Sequence, residues 1–408
     1  MEPDKACSTL TRHAGGRLMS SRAQSIYAFA VIAGVATTAA QATPYMIVGN
    51  DEKLVWDDEG KGVLSAPGKD NVLIIDLANP EEPKIVANLP LKNSVVGPPV
   101  NLAIDPTGSI ALVADSVDVV KDGETLKQVP DDKLHVIDMK ANPPKLASTI
   151  SVGKMPSGLD ISPKGDMALV ANRGDNSIGV LSIKGTEVKL VDTVPMGDVV
   201  SHVAFTPDGR RAVVVKFPAH KVSVLEIAED GKVTYNKLDL PTGQWPYNVA
   251  VSPEGKIALT ADNGNSGASD GSVDTVSVVD LEATPPRIID RVVVGDGPEG
   301  LAISPKGDVA VAVILRGSNA NKKAYFYQKN GALDVLKIDG KKVSKLKEIE
   351  VGGLPEAAVF TPDGRYLLVG NYLDQDFSIL RVNGTEITDT GKRFKVPGHP
   401  ASARMAPR

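Results

Sequence analysis

PSGLDISPKGDMALVAN, residues 156–172, sets alternating apolar residues on both sides of a four-residue turn signal, Ser162 to Gly165. Pro163 presets φ for a turn and Gly165 accepts positive φ, so the stretch predicts two short antiparallel strands joined tightly. The phrase returns as PVNLAIDPTGSIALVAD from Pro99, VSHVAFTPDGRRAVVVK from Val200, PYNVAVSPEGKIALTAD from Pro246, PEGLAISPKGDVAVAVI from Pro298 and PEAAVFTPDGRYLLVGN from Pro355. Its turn prolines fall at Pro106, Pro163, Pro207, Pro253, Pro305 and Pro362. Each phrase is followed by a second alternating pair, such as SIGVLSI and VKLVDTVPM or TVSVVDL and RIIDRVVV. Four short strands per repeat of about 50 residues describe a propeller blade, whereas a helical solenoid would need a 3.6-residue period.

The C-terminal PASARMAPR aligns Pro400 with Pro355 and so reads as a seventh first strand without partners. Those partners stand near the other end of the chain. YMIVGN from Tyr45 matches YLLVGN from Tyr366, and NVLIIDL and KIVANLPL follow as third and fourth strands. The expectation is an all-β, seven-bladed propeller whose closing blade joins both ends of the chain and removes the open sheet edges.

LVANRGDNSIGVLSI and LVGNYLDQDFSILRV, with their SPxG turns, resemble the YVTN-repeat seven-bladed propellers of bacteria and archaea. The resemblance covers essentially all of residues 43–408. It implies a fold shared by lactonases, cycloisomerases and proteins that only bind, and a ligand site on the top face over the central channel. Two residues before the first strand's opening apolar position, the blades carry Val100, Ser157, Ser201, Tyr247, Glu299, Glu356 and Ala401; the next position holds Asn101, Gly158, His202, Asn248, Gly300, Ala357 and Ser402. The second strands end on Asn50, Asp115, Asn172, Lys216, Asp262, Ile314 and Asn371. Asn is the repeat's turn residue, so Lys216, Glu299, Glu356 and His202, which depart from a small or neutral consensus, are the better candidates.

Two functional readings follow. In the first, the ring recognises a protein, glycan or small molecule through Lys216, Trp245, Tyr247, Asn248, Asp262, Arg316, His399 and Arg404, without chemistry. In the alternative, implied by the lactonase and cycloisomerase propellers, His202 is a base, Glu299 or Glu356 an acid, and Lys216, Arg316 or Arg404 an anion clamp. The PRH phrase associated with that family's first-strand approach is replaced by VSH, PEG and PEA. No GxSxG, HExxH, haem or Walker motif is present.

Four top-face loops are long: from Asp51, from Ser116, from Asp262 and from Arg316. Long loops without secondary structure tend to be functional or disordered. Trp56, Tyr325, Phe326 and Tyr327 lie in them, either contacting a ligand or pinning the loops down. His202, His220 and His399 map to the top face but not to one blade, so no metal site is expected. The Asp262 loop lacks the ligand spacing of an EF-hand.

Residues 1–42 carry Arg12, Arg17 and Arg22, an apolar stretch Ile26 to Ala40, and a small-residue AQA, the pattern of a secretory signal peptide cut before Thr43, with Met1 or Met19 as initiator. Its removal takes away Cys7, the only cysteine, and leaves 41 basic and 48 acidic residues. Disulfides, thiolate catalysis and Cys-bound zinc are then excluded, and a net acidic surface disfavours nucleic acid. The mature chain is expected to be a periplasmic or secreted monomer, with no membrane span and no cofactor.

Overall fold

The computed structural model describes residues 44–94 and 99–406. The proposed signal segment lies outside the described residues. Seven four-stranded antiparallel sheets form the blades, with one 3-10 turn at Phe217–Ala219 and no α-helix among the described residues. No helix among them is long and apolar enough to cross a membrane.

Each blade is built from its hairpin outward. In the second blade Pro156–Ile161 pairs with Met167–Asn172, then Ser177–Lys184, then Glu187–Pro195. The turn between the first two strands closes by Gly165 N–H donating to Ser162 O at 2.8 Å, with Gly165 at φ 73°. Ser162 Oγ also donates to Asp166 at 2.8 Å; Thr206 with Asp208, Ser304 with Asp308 and Thr361 with Asp363 repeat a hydroxyl–carboxylate lock. The recurring turn is therefore specified locally: a glycine N–H closes it in all six phrases, and four of them add the side-chain lock.

The ring closes as the repeat alignment predicts. Pro400–Met405 is the inner strand of the seventh sheet and pairs with Tyr45–Asn50, setting Val48 opposite Ala403 and Ile47 opposite Arg404. Asn71–Asp76 and Lys84–Leu89 complete that blade. Hydrophobic cores lie between neighbouring blades, one per junction. Met46, Val48 and Ala403 pack on Leu368 and Phe377 of the sixth blade, while Ile47, Val72 and Ile74 pack on Leu102 and Val113 of the first.

Two of the four long loops contain structure that their composition does not announce. The second and third strands of the first blade, Ile110–Asp122 and Thr125–Asp138, continue the pairing to a tip at Gly123, so the Ser116 segment is a β-hairpin extension. In the Asp51 segment, Leu54–Trp56 pairs with Gly62–Leu64. Both stretches contain β-branched residues at short intervals, and local pairing removes backbone groups that an irregular loop would leave open.

One irregularity positions the channel mouth. The inner strands of blades two, four, five and six are bulged just after their opening proline, as between Pro298 and Leu301 and between Pro355 and Ala358. The preceding residues Met155, Trp245 and Leu354 have φ of 52°, 53° and 46°. A left-handed kink followed by a bulge turns the chain into the channel and re-aims the next side chains, among them Tyr247, Glu299 and Glu356.

Candidate active site

Glu299 and Glu356 occupy the same bulge position in adjacent blades. Glu356 is 4% exposed and Glu299 is part-buried. Burial pushes the Glu299 carboxyl up to about 7, against the pull of Arg173, whose positive charge favours the carboxylate. Glu356 is pushed well above the ordinary carboxylate range, by burial first and then by the charge of Glu299. Raised in this way, the two carboxyls favour a singly protonated pair near neutral pH, since the charge on one disfavours the charge on the other.

Arg173 comes from the turn after the second strand of the second blade and reaches across the mouth. Its guanidinium carbon sits 4.8 Å from the centroid of the Phe217 ring and 5.9 Å from that of Tyr247. Arg173 Nη1 lies 3.4 Å from Tyr247 Oη, which it meets as a donor. Desolvation holds the Tyr247 phenol up to about 12, so it stays protonated. Phe217 is fixed in turn by edge contacts with Trp245 and Tyr247, at 5.3 and 5.8 Å between ring centroids. Together they form an acid pair, a guanidinium held on an aromatic wall and a neutral phenol at the channel mouth.

The other residues singled out by sequence lie elsewhere. His202 is fully buried, its Nδ1 accepts from Val249 N–H at 3.2 Å, and burial followed by the positive charge of Arg404 holds the ring neutral. Asn248 is buried beside it. Lys216 turns away from the channel, with Nζ 2.8 Å from Tyr235 Oη and 3.3 Å from Asp239 Oδ1. It thereby ties the second strand to the outermost strand of its own blade. Asp262 accepts from Gly243 N–H and from the hydroxyls of Thr260, Thr275 and Ser277, at 2.6–3.2 Å, which fixes a turn.

Arg316 reaches the fourth strand of its own blade, 3.2 Å from Glu350. His399 stacks on Tyr372 at 4.8 Å, and its Nδ1 lies 2.7 Å from Tyr372 O, within the closing clasp. Arg404 lies deeper in the channel than its assignment to the top face implied, four residues past the opening proline. Trp245 supports Phe217, and its backbone N–H donates to His220 Nδ1 at 2.9 Å.

The loop aromatics mainly pin the loops. Trp56 packs edge-on against Tyr372 at 5.6 Å, and Tyr325 Oη donates to Asp270 O at 3.0 Å although its side chain is 86% exposed. Among the described residues no group of three or more His, Cys, Asp or Glu side chains is arranged to hold a metal ion. Sequence reasoning passed over Arg173, which stands in LVANRGDNS where the repeat has turn residues; its reach over two blades has no local signature.

The fold is that of the lactonase-type seven-bladed propellers. Residues 132–246 match the model of the family described as "Lactonase, 7-bladed beta-propeller". Among solved structures, a putative 6-phosphogluconolactonase from Bacteroides fragilis is 17% identical with a TM-score of 0.66, covering 90% of this chain and 99% of that one. A second, from Bacteroides uniformis, is 16% identical with a TM-score of 0.64 and covers 90% and 100%. The periplasmic gluconolactonase of Pseudomonas aeruginosa is 18% identical with a TM-score of 0.63, covering 89% and 99%. Identities this low carry the fold alone. A comparison with curated proteins finds no significant match.

Proposed function

We propose that this protein is an exported hydrolase of small, uncharged lactones, working at the channel mouth. The observation that carries the reading is the Glu299–Glu356 pair facing Arg173 and Tyr247. Desolvated acid and base groups of this kind are what proton transfer at neutral pH requires. In the proposed step the Glu299 carboxylate takes a proton from water as its oxygen attacks the lactone carbonyl. The guanidinium of Arg173 and the phenol of Tyr247 donate hydrogen bonds to the oxyanion, and protonated Glu356 gives its proton to the ring oxygen as the acyl–oxygen bond breaks. The product is a hydroxy acid; the pair has exchanged a proton from Glu356 to Glu299, and solvent resets it.

One guanidinium facing two carboxyls favours a neutral substrate over a phosphorylated one, since Glu299 and Glu356 would repel a phosphate dianion. A sugar lactone, whose hydroxyls can meet carboxyl, phenol and guanidinium groups, suits the same set of side chains. The similar folds of the 6-phosphogluconolactonase-type and gluconolactonase structures support the reaction class, and the Pseudomonas structure together with the signal pattern of residues 1–42 supports the periplasm. Kinship with the YVTN-repeat propellers belongs to the same reading. A ring that only binds, the reading placed first from sequence, has no need of two desolvated carboxyls held beside a guanidinium, and for that reason we rank it second. The test is Glu356→Gln, which keeps shape but cannot donate the proton: lactone turnover should fall about 10²-fold or more, and turnover at the wild-type rate contradicts the assignment.

A further inference from the structure

The channel holds a second polar feature below the mouth. Arg404 and Asp160 occupy the same position, four residues past the opening proline, on the inner strands of the closing and second blades. The other five blades place Ala103, Ala204, Ala250, Ala302 and Val359 there, so this level of the channel has one base, one acid and five small apolar residues. All seven line a cavity of ≈ 290 Å³. It extends past Phe205, Phe360 and Met405 to the turn prolines Pro305 and Pro362, on the face opposite the mouth. None of Arg173, Tyr247, Glu299 and Glu356 lines it.

The two charges are not equally satisfied. Asp160 Oδ2 accepts from Phe205 N–H at 2.9 Å and Oδ1 from Ile161 N–H at 3.0 Å. Arg404 feels the Asp160 charge but forms no hydrogen bond or ion pair among the described residues. A guanidinium offers five N–H donors in a planar fork that fits a carboxylate, and Arg404, half-buried on the cavity wall, presents those donors to whatever occupies the cavity.

We propose that the lower channel binds a short-chain aliphatic monocarboxylate, its carboxylate on Arg404 and its chain against the apolar wall. The charge balance selects this class: one cation with an acid at the same level suits a monoanion, whereas sulfate or phosphate would need a second cation. The volume suits a chain of about four to six carbons. The site is independent of the chemistry proposed at the mouth.

The probe is sodium hexanoate, titrated calorimetrically into the full chain, with hexanol and sodium sulfate as controls. Saturable hexanoate binding at least about tenfold tighter than either control is expected. It should be lost in Arg404→Gln and tightened about threefold to tenfold in Asp160→Asn, which removes the competing charge while its amide oxygen can still accept from Phe205 N–H. Should Arg404→Gln fail to fold, Asp160→Asn decides. No binding of hexanoate, equal binding of hexanol or sulfate, or an Asp160→Asn variant that binds no more tightly would each overturn the proposal.

Discussion

Glu299→Gln should make the protein more stable at alkaline pH while removing the proposed base. The Glu299 carboxyl is raised from 4.5 to about 7, chiefly by burial. That rise corresponds to about 3 kcal/mol of preference for the protonated form. Between those two values the folded state binds a proton that the unfolded state has released, so stability falls as pH rises through the window, and above about 7 the full amount is missing. Glutamine keeps the size and stays neutral. The variant and the wild type should therefore match near pH 4.5 and diverge to about 3 kcal/mol in favour of the variant near pH 8. Urea unfolding of both proteins at several pH values, compared as a difference, cancels every group that titrates alike in the two proteins and leaves Glu299 together with its effect on Glu356. A difference that stays flat with pH would refute the claim that Glu299 is desolvated at the mouth. Such a gain with loss of turnover is the usual exchange of stability for function at a strained polar site.

Removing residues 400–408 should lower the melting temperature of the whole ring, since Ala401, Ser402 and Ala403 are buried and their strand supplies the inner edge of the closing blade; calorimetry showing an unchanged melt would contradict the closure. His202→Ala should cost about 2–4 kcal/mol through a cavity and a lost acceptor for Val249 N–H, while the pH dependence of turnover keeps its shape, because the imidazole is already neutral; a shifted acid limb would make His202 the base instead. Lys216→Met should destabilise by only about 1–2 kcal/mol, because Asp239 loses its buried cation but keeps Lys221 at 3.4 Å and the hydroxyls of Ser223 and Tyr235. Denaturant titration checks it, and loss of turnover without loss of stability would return Lys216 to the site.

The blade count and the ring closure could be read from the chain because they rest on local signals repeated many times. A Pro-x-Gly turn, two-residue alternation and a lone strand at the C-terminus each mean the same thing wherever they occur. Departure from the repeat marked Glu299 and Glu356, but it marked His202 and Lys216 equally. Lys216 and Asp262, both expected to bind, answer partners in their own blade: Lys216 meets Asp239 across the sheet, and Asp262 gathers three hydroxyls. A deviation from consensus reports a special environment without saying whether it faces the channel.

Arg173 stayed hidden for the opposite reason. It follows Asn172 in an ordinary turn, and only the ring geometry brings it over Phe217 and beside Tyr247. Asp160 and Arg404 share one column of the repeat alignment, so their common level in the ring was legible in principle. Their depth in the channel was not, because it depends on the irregular pairing beside the opening proline, which the second and closing blades both carry.

The most direct measurement is the hydrolysis of glucono-δ-lactone by the purified protein in a pH-stat, with the spontaneous rate subtracted, for the wild type and Arg173→Met. The account predicts saturable turnover in the wild type and a loss of about 10²–10³-fold in the variant, as expected when an oxyanion donor is removed. A folded wild-type protein that accelerates neither this lactone nor a panel of other γ- and δ-lactones would contradict it.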